Sequence, residues 1–438
     1  MGLKKLLTQS IIWRGFYFFS VLLVNIFLSR YLQAAATGSL YFITVIFSFS
    51  QVVLSLGGES GVIYFASGNL IERNKLISLS AVWSFVAGIA MIGFVYLYFL
   101  VDASADKTLL LWYCAFGFLY VCGQLLANYS VGIYYTREKY FMPNFLLAIV
   151  NIIFVFLIPG KTEHVSSLQV QQIMCYYFAT FFAGGLLVYL SYVFQYKNEG
   201  AAGFPNRIYF IKLIRYSLTA LGANVVFFLV YKIDYLFVNY SPVCTASDLG
   251  NYIQVSKIGQ LMLLVPQIIA SVVFPRTASG IDQKVLSNAI MTIARLLSQL
   301  FLVMFILVAL IGGKFFTTVF GASFNEMKTP MLILIPGIFC LSVLALLSAY
   351  FAGKGKIRIN LYAAIIGLIV MVTGDLIFVP RYGIIAAAAI STISYAANLG
   401  YTMWHYYKDY SIHWVEFFKW KKTDYHTLLS MLKFNTPV

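Results

Sequence analysis

Long apolar runs separated by short polar connectors follow one another along the whole chain. A bilayer core about 30 Å thick needs about 20 apolar residues per helix, so each run is long enough to cross a membrane once. The pattern predicts an all-α polytopic membrane protein with twelve transmembrane helices. They lie near residues 8–30, 38–66, 76–101, 108–135, 140–158, 169–195, 208–240, 247–274, 286–312, 329–352, 357–379 and 384–407.

The connectors between the predicted helices are short and rich in turn residues. Turns are predicted at residues 35–38, 102–104, 159–160 and 353–355. The longest connector on the inner side runs from Gln195 to Pro205 and has six predicted helices on either side. This arrangement is expected of a transporter built from structural repeats. The domains predicted on this basis are a six-helix lobe at 1–196, a cytoplasmic linker at 197–207, and a second lobe at 208–407 related to the first by pseudo-twofold symmetry.

Composition narrows the class of protein. Hydrophobic residues make up 61% of the 438 positions and charged residues only 10%, whereas soluble domains carry about 25% charged residues. A soluble enzyme, a nucleic-acid-binding module and a disordered scaffold are therefore excluded. The few charges are nevertheless unbalanced, because 30 Lys and Arg stand against 15 Asp and Glu.

Most of the excess positive charge marks one side of the membrane. If the N-terminus is cytoplasmic, 20 of the 30 basic residues fall in inner segments, six in outer segments and four within predicted helices. Lys and Arg accumulate in cytoplasmic loops, so both termini are predicted to be inside. The tail 408–438 is too polar to span. Its aromatic residues among lysines predict an interfacial helix at the headgroup level, with a plain solvated basic tail as the alternative.

Four basic residues lie within the predicted helices, namely Arg14, Lys232, Lys257 and Arg295. Counted from the helix ends at 1.5 Å per residue, the last three lie about 12–15 Å deep. Arg14 is shallower and either snorkels inward or faces the same cavity. Each charge is explained either by a structural ion pair or snorkelling, or by a water-filled cavity. An excess of cations near the midplane favours an anionic ligand.

Three acidic residues also lie within predicted helices: Glu59, Asp234 and Asp375. Lys232 and Asp234 are two positions apart and point to different sides of a helix, so we expect Lys232 to find its counter-charge on another helix or a ligand. Glu59 lies in the glycine-rich stretch 57–61, where the missing side chains loosen the helix. Interrupted helices that carry ionisable residues indicate a substrate pathway.

The sequence contains no arrangement that suggests catalysis. We find no nucleophile with a nearby base, no phosphate-binding glycine loop and no metal-ligand spacing. The five cysteines include no CxxC pair. We therefore predict no enzymatic activity, no catalytic residue, no bound metal and no cofactor beyond a coupling ion.

Three stretches resemble the polysaccharide-transporter branch of the multidrug/oligosaccharidyl-lipid/polysaccharide exporter (MOP) superfamily, which contains the O-antigen and exopolysaccharide flippases. The first is YKIDYLFVNY at 231–240, and the second is DLGNYIQVSK at 248–257. The third is FVPRYGIIAAAA at 378–389, which is similar to the family's Pro-x-Tyr-Gly turn. Arg14 and the Gly57–Gly61 region also fit.

The resemblance implies a V-shaped bundle of two lobes around a central cavity. It implies a flippase of the bacterial inner membrane that moves undecaprenyl-diphosphate-linked oligosaccharide to the outer leaflet by alternating access, for O-antigen, capsule or exopolysaccharide synthesis. Arg14, Lys232, Lys257 and Arg295 would bind the diphosphate, and Asp234 and Glu59 would couple transport to sodium or protons. Partners would be the lipid-linked glycan, membrane lipids, a glycan polymerase and a chain-length regulator, with no nucleic acid.

Two other functions are compatible with a polytopic membrane protein. A drug or metabolite exporter of the same fold, driven by a cation gradient, would need an acidic cavity, and the excess of cations argues against it. A membrane glycan polymerase or transferase would need a large periplasmic loop or an acidic metal-binding motif, and the predicted loops are too short.

Overall fold

A computed structural model of the protein describes residues 3–101, 107–159, 166–199, 203–278, 283–410, 414–417, 419–421 and 424. Within these residues the regular secondary structure is entirely helical. The chain divides into two compact units, Met1–Phe228 and Leu229–Val438.

The first unit contains six helices and most of a seventh. They are α1 (Leu3–Leu54), α2 (Gly58–Ser67), α3 (Arg73–Val101), α4 (Leu110–Thr136), α5 (Phe141–Leu157), α6 (Ser167–Tyr196) and α7 (Arg207–Lys232). Its interior is aromatic: the rings of Phe116 and Phe178 stack 5.0 Å apart, and Phe178 also contacts Phe47 and Tyr120. The Tyr120 hydroxyl lies 2.6 Å from Ser48 Oγ, so this buried phenol is hydrogen-bonded as its burial requires.

The second unit contains the end of α7 and the remaining helices. They are α8 (Asp234–Asn239), α9 (Ala246–Met262), α10 (Leu264–Ala278), α11 (Gln283–Phe320), α12 (Lys328–Gly353), α13 (Ile357–Tyr410) and a short 3₁₀ turn at Trp414–Phe417. Helix α9 begins with a capping box, in which the side chains of Thr245 and Asp248 satisfy each other's backbone N–H groups.

These helices form the twelve predicted membrane spans. In the described part of the chain, nine helices are long and apolar enough to cross a membrane, and the 17-residue helix Phe141–Leu157 is apolar but shorter. Two of the nine, α1 with 52 residues and α13 with 54, bend at one residue and supply two spans each. The prediction of twelve transmembrane helices is therefore confirmed, and the chain is a multi-pass membrane protein.

Single residues make the bends in the two longest helices. Helix α1 turns at Gln33, with φ 61° and ψ 174°, and helix α13 turns at Gly383, with φ 59° and ψ −141°. The turn predicted at 35–38 is wrong by a few positions, because one residue with positive φ suffices and Ala34 already continues the helix. The turn predicted at 353–355 is confirmed by Gly355, with φ 73°. The turn predicted at 102–104, and Gly160 of the one at 159–160, lie outside the described residues.

The boundary between the two units lies beyond the predicted linker 197–207. Helix α7 packs its buried Leu213 and Ser217 against the glycines of α2. A Cβ atom on Gly57 or Gly61 would overlap Ser217, so the two backbones approach closely because these positions have no side chain. The first compact unit therefore includes α7 as far as Phe228.

Candidate functional site

Glu59 lies just after a break in the second span. Helix α1 ends at Leu54, Leu56 and Gly57 adopt positive φ values of 49° and 68°, and α2 begins at Gly58. Glu59 is thus in the first turn of α2, where the helix dipole favours a negative charge. Its Oε1 atom accepts hydrogen bonds from Gln51 Nε2 at 2.6 Å and from Asn128 Nδ2 at 3.0 Å. Both partners are neutral amides, so they orient the carboxylate without neutralising it.

Arg14 is half-buried in the first unit, near the start of α1. Its guanidinium carbon lies 5.7 Å from the centroid of the Tyr135 ring, a cation–π distance. The Tyr135 hydroxyl donates to Asn144 Oδ1 at 3.0 Å, which fixes the ring. Among the described residues, no carboxylate forms an ion pair with Arg14.

In the second unit the Lys232 side chain reaches the helix that carries Lys257. The Lys232 ammonium donates to Gln260 Oε1 at 3.2 Å and lies 5.0 Å from the centroid of the Tyr235 ring. Lys257 is one helical turn before Gln260 on α9, and the two ammonium groups lie within electrostatic reach of each other. Two like charges in an apolar environment repel each other. An anion bound between them would remove that repulsion.

Asp234 opens helix α8 and is 1% exposed. Its Oδ2 atom accepts hydrogen bonds from the hydroxyls of Tyr252 at 2.6 Å and Ser391 at 3.2 Å, and its Oδ1 atom accepts one from the Tyr235 N–H at 3.0 Å. The carboxylate is therefore held by residues of three helices, α8, α9 and α13. This number of donors keeps a buried carboxylate hydrogen-bonded and in one orientation.

Asp375 completes this acidic site. It lies on α13, is fully buried, and neither carboxylate oxygen has a hydrogen-bond partner among the described residues. The Asp234 carboxylate is the charged group that acts on it. Two neighbouring buried carboxylates are costly unless a proton or a cation lies between them. Carboxylate and hydroxyl oxygens are the ligands that hard cations prefer, so Asp234, Asp375 and Ser391 are suited to hold one.

Sequence reasoning identified Asp375 as a charge within a span but did not place it with Asp234. The two residues are far apart in the chain, and only the packing of α8 against α13 makes them neighbours. Tyr252 was noted only as part of the stretch 248–257, and Ser391 was not singled out, because a serine in an apolar helix is common. Within the described residues, no group of three or more His, Cys, Asp or Glu is arranged to hold a metal ion.

Arg295 is bonded to the C-terminal tail. Its Nε and Nη2 atoms donate to the two carboxylate oxygens of Asp424 at 2.7 and 2.6 Å. Nη2 also donates to Thr292 Oγ1, and Nη1 to the Glu416 carbonyl. The side chains of Arg295 and Asp424 are 5% and 2% exposed. This guanidinium is thus engaged within the protein, unlike those expected to face an anion.

Helix α11 continues to Phe320 instead of ending near residue 312. The 18 residues from Leu296 to Gly313 carry no charge and are bounded by Arg295 and Lys314. At 1.5 Å per residue they span about 27 Å, close to the thickness of the hydrocarbon core. Arg295 thus lies directly before an uncharged stretch that is long enough to cross a bilayer.

Comparison with known proteins shows the fold. No model of a known protein family matches the sequence, and no curated protein matches it. Among solved structures, the chain is similar to the lipid II flippase MurJ in an inward closed conformation, with a TM-score of 0.70 and 15% identity over 98% of this chain and 94% of that chain. It is also similar to an inward-facing multidrug resistance transporter of the MATE family, with a TM-score of 0.63 and 13% identity over 95% and 96%.

A third similar structure is a MOP-superfamily transporter from Pyrococcus furiosus, described by the reverse polarity of its binding pocket. Its TM-score is 0.59, with 14% identity over 92% of this chain and 94% of that chain. At these identities the likeness shows the fold, which is that of the twelve-helix MOP transporters. All three neighbours are transporters and none is an enzyme.

Proposed function

We propose that the protein is a flippase for an anionic lipid-linked oligosaccharide. In this role it moves an undecaprenyl-diphosphate-linked glycan from the cytoplasmic to the outer leaflet of a bacterial inner membrane, with both termini inside, for O-antigen, capsule or exopolysaccharide synthesis. The observation that carries the proposal is that the Lys232 ammonium reaches α9, where it donates to Gln260 one turn from Lys257, so that two lysines lie within electrostatic reach on membrane-spanning helices. A diphosphate is the kind of ligand that two ammonium groups stabilise.

The residues divide into distinct roles. Lys232 and Lys257 bind the diphosphate, and Arg14 in the first unit, which has an aromatic partner instead of a carboxylate, is a separate candidate for binding acidic sugars. Arg295 is not included, because Asp424 already pairs with its guanidinium. The proposed partners are membrane lipids, and a glycan polymerase and chain-length regulator that act on the flipped product. Alternating access carries the bound headgroup across.

The likeness to known structures supports this choice of substrate class. One neighbour is a lipid II flippase, and another is described by a binding pocket of reverse polarity. A cationic drug is disfavoured as the substrate, because the lysine pair would repel it. Proteins with this fold can therefore bind substrates of either charge. The two lysines of the proposed site favour an anionic substrate.

We further propose that Asp234 and Asp375 couple transport to a sodium or proton gradient. Neither carboxylate oxygen of Asp375 has a hydrogen-bond partner in the described residues, and this carboxylate lies within electrostatic reach of Asp234. One bound cation would stabilise both carboxylates. Glu59, held by two amides, is a second candidate for coupling. Because the coupling site and the lysine pair are both built in the second unit, occupation of one is expected to affect the other electrostatically.

Flipping of a fluorescent undecaprenyl-diphosphate sugar in proteoliposomes tests the substrate proposal. We expect Lys232→Gln and Lys257→Gln to lower the rate at least about tenfold, because each loses one charge-assisted contact to phosphate worth about 1.5–3 kcal/mol. Lys314→Gln, which removes an exposed cation outside the site, serves as the matched control. Rates equal to the wild-type rate in both site variants, with normal protein levels, would contradict the proposal.

The coupling proposal has a separate test. With a sodium or pH gradient imposed across the same vesicles, wild-type flipping should accelerate. In Asp375→Asn and Asp234→Asn this acceleration should be lost while slow flipping without a gradient persists. Glu59→Gln, measured in parallel, shows whether the first unit contributes. Full acceleration in both aspartate variants would exclude the acidic pair from coupling but leave the substrate proposal intact.

A further inference from the structure

The chain turns back on itself after the last helix of the second unit. We call the described residues 414–417, 419–421 and 424 the C-terminal strap. Its first part is the 3₁₀ turn at Trp414–Phe417, which packs on helix α11. The interfacial helix predicted over the tail 408–438 lies mostly outside the described residues.

Two buried contacts fix the strap to the helices. Asp424 forms the two-pronged ion pair with Arg295 of α11, and Phe417, which is 1% exposed, packs edge-on against the Tyr406 ring of α13 at 6.1 Å. The Glu416 carbonyl adds a third hydrogen bond to Arg295. The strap therefore has a defined inner face that joins the inner ends of α11 and α13.

The other face of the strap is exposed and carries aromatic and basic groups. Trp420 is 53% exposed, and the side chains of Lys419 and Lys421 on either side of it are 67% and 47% exposed. Both ammonium groups lie within 4 Å of Glu416, which offsets one of the two charges. One net positive charge and an indole face thus remain available on this side.

Two independent marks place this face at the inner headgroup level. Trp420 Nε1 donates to Ser298 Oγ at 3.0 Å, and Ser298 lies three residues into the uncharged stretch that begins after Arg295 on α11. At the inner end of α13, the Lys408 ammonium lies 3.5 Å from the Trp404 ring centroid, and both residues are exposed. Tryptophan and lysine in this combination are typical of the membrane–water interface. The strap runs between these two positions.

We propose that the C-terminal strap is a docking surface for the headgroups of anionic phospholipids in the inner leaflet. Lys419 and Lys421 bind the headgroup phosphate, the Trp420 indole lies among the headgroups, and the Arg295–Asp424 pair latches the strap in place. Arg295 is thus a positioning residue for lipid binding. This surface is separate from the lysine pair of the proposed substrate site.

The fluorescence of Trp420 tests the proposal in the full-length protein. The protein is reconstituted in vesicles of phosphatidylglycerol or phosphatidylcholine, brominated either near the glycerol backbone or near the end of the acyl chain. The difference between wild type and Trp420→Phe isolates the Trp420 signal from the other tryptophans. We expect stronger quenching by shallow than by deep bromine, and stronger quenching by phosphatidylglycerol than by phosphatidylcholine at equal depth.

Substitutions distinguish the contribution of Lys419 and Lys421 from that of the Arg295–Asp424 ion pair. Lys419→Gln and Lys421→Gln should each lower the preference for phosphatidylglycerol about fivefold, the effect of one basic residue at an anionic surface, while the depth stays unchanged. Asp424→Asn should reduce both preference and depth, because it releases the strap although the lysines remain. The double variant Lys139→Gln/Lys197→Gln, which removes exposed inner cations of the first unit, should change neither.

Three results would overturn the proposal. A Trp420 signal that neither bromine position quenches would place the strap outside the interface. Equal quenching in the two lipids would show that the headgroup charge is not recognised. Unchanged quenching in Asp424→Asn, with the protein intact by gel filtration, would remove the latch from the mechanism. None of these measurements uses flipping, so their outcome is independent of the proposed transport function.

Discussion

Basic residues that look alike in the sequence meet different partners in the structure. Lys232 and Lys257 lie together, Arg14 lies beside an aromatic ring, and Arg295 is paired with Asp424. Burial of a charge costs several kcal/mol unless it finds a partner, and the carboxylate of Asp424 offsets this cost for Arg295. Two neighbouring lysines raise the cost instead, which is why Lys232 and Lys257 are the residues proposed to bind an anion.

At the residue scale, the strap latch is expected to stay closed over the whole physiological pH range. The hydrogen bonds from Arg295 lower the pKa of Asp424 below its ordinary value of 3.8. A lowered pKa in the folded state means that the pair stabilises the fold at pH values above 3.8 and loses this effect only as the pH falls below it. Hydrogen exchange of the amides at 414–417 should therefore be equally protected at pH 8 and pH 5, after correction for intrinsic rates.

Asp424→Asn provides the comparison for that measurement. Removing one partner of a buried ion pair typically costs about 3–5 kcal/mol, so protection of the strap should fall sharply in this variant at every pH. Loss of wild-type protection between pH 8 and pH 5 would mean that a group other than Asp424 controls the latch.

At the scale of elements, the break between α1 and α2 depends on Gly57. This residue has φ 68° and faces the backbone of α7 at Ser217. An alanine there would be strained by about 1–3 kcal/mol and would add an overpacking cost of about the same size. We therefore expect Gly57→Ala to lower the thermal unfolding midpoint of the purified protein by several degrees.

Gly222→Ala is the matched control on the same helix pair. Nothing lies within 4 Å of a Cβ atom at position 222, and alanine is favoured over glycine inside a helix by about 1 kcal/mol. The midpoint of this variant should be unchanged or slightly higher. A similar loss of stability in both variants would show that an added methyl group is destabilising wherever it is placed. The close contact between α2 and α7 would then not be the cause.

At the scale of the whole molecule, the charge asymmetry predicts which way the chain crosses the membrane. Inner segments hold 20 of the 30 basic residues when the N-terminus is cytoplasmic, and positive charge sets orientation. A green fluorescent protein fused after residue 199 should fluoresce, and alkaline phosphatase fused after residue 241 should be active. With the two reporters exchanged, phosphatase fused after residue 199 should be inactive, and fluorescent protein fused after residue 241 should not fluoresce. The reverse pattern would invert the proposed topology.

The number of membrane spans was predictable because it rests on length and hydropathy. A helix that crosses a bilayer needs a minimum number of apolar residues and satisfies its own backbone hydrogen bonds, so each span can be found without knowledge of its neighbours. The same reasoning accounts for a fold shared with MurJ at 15% identity. The bend at Gly383 was also foreseeable, because Pro380 and Gly383 are residue types that favour turns. Glutamine has no such preference, so the bend at Gln33 was not foreseeable.

The sequence by itself thus determined the class of protein, the number of spans, and which ionisable residues require an explanation. These follow from local properties: hydropathy, helix length and the cost of charge in an apolar medium. The tertiary structure alone decided which charges are neighbours. It places Asp375 within electrostatic reach of Asp234, and Lys257 within reach of Lys232. It also pairs Arg295 with Asp424, which lies 129 positions further along the chain. Electrostatic energy depends on distance in space, and a linear pattern does not contain that distance.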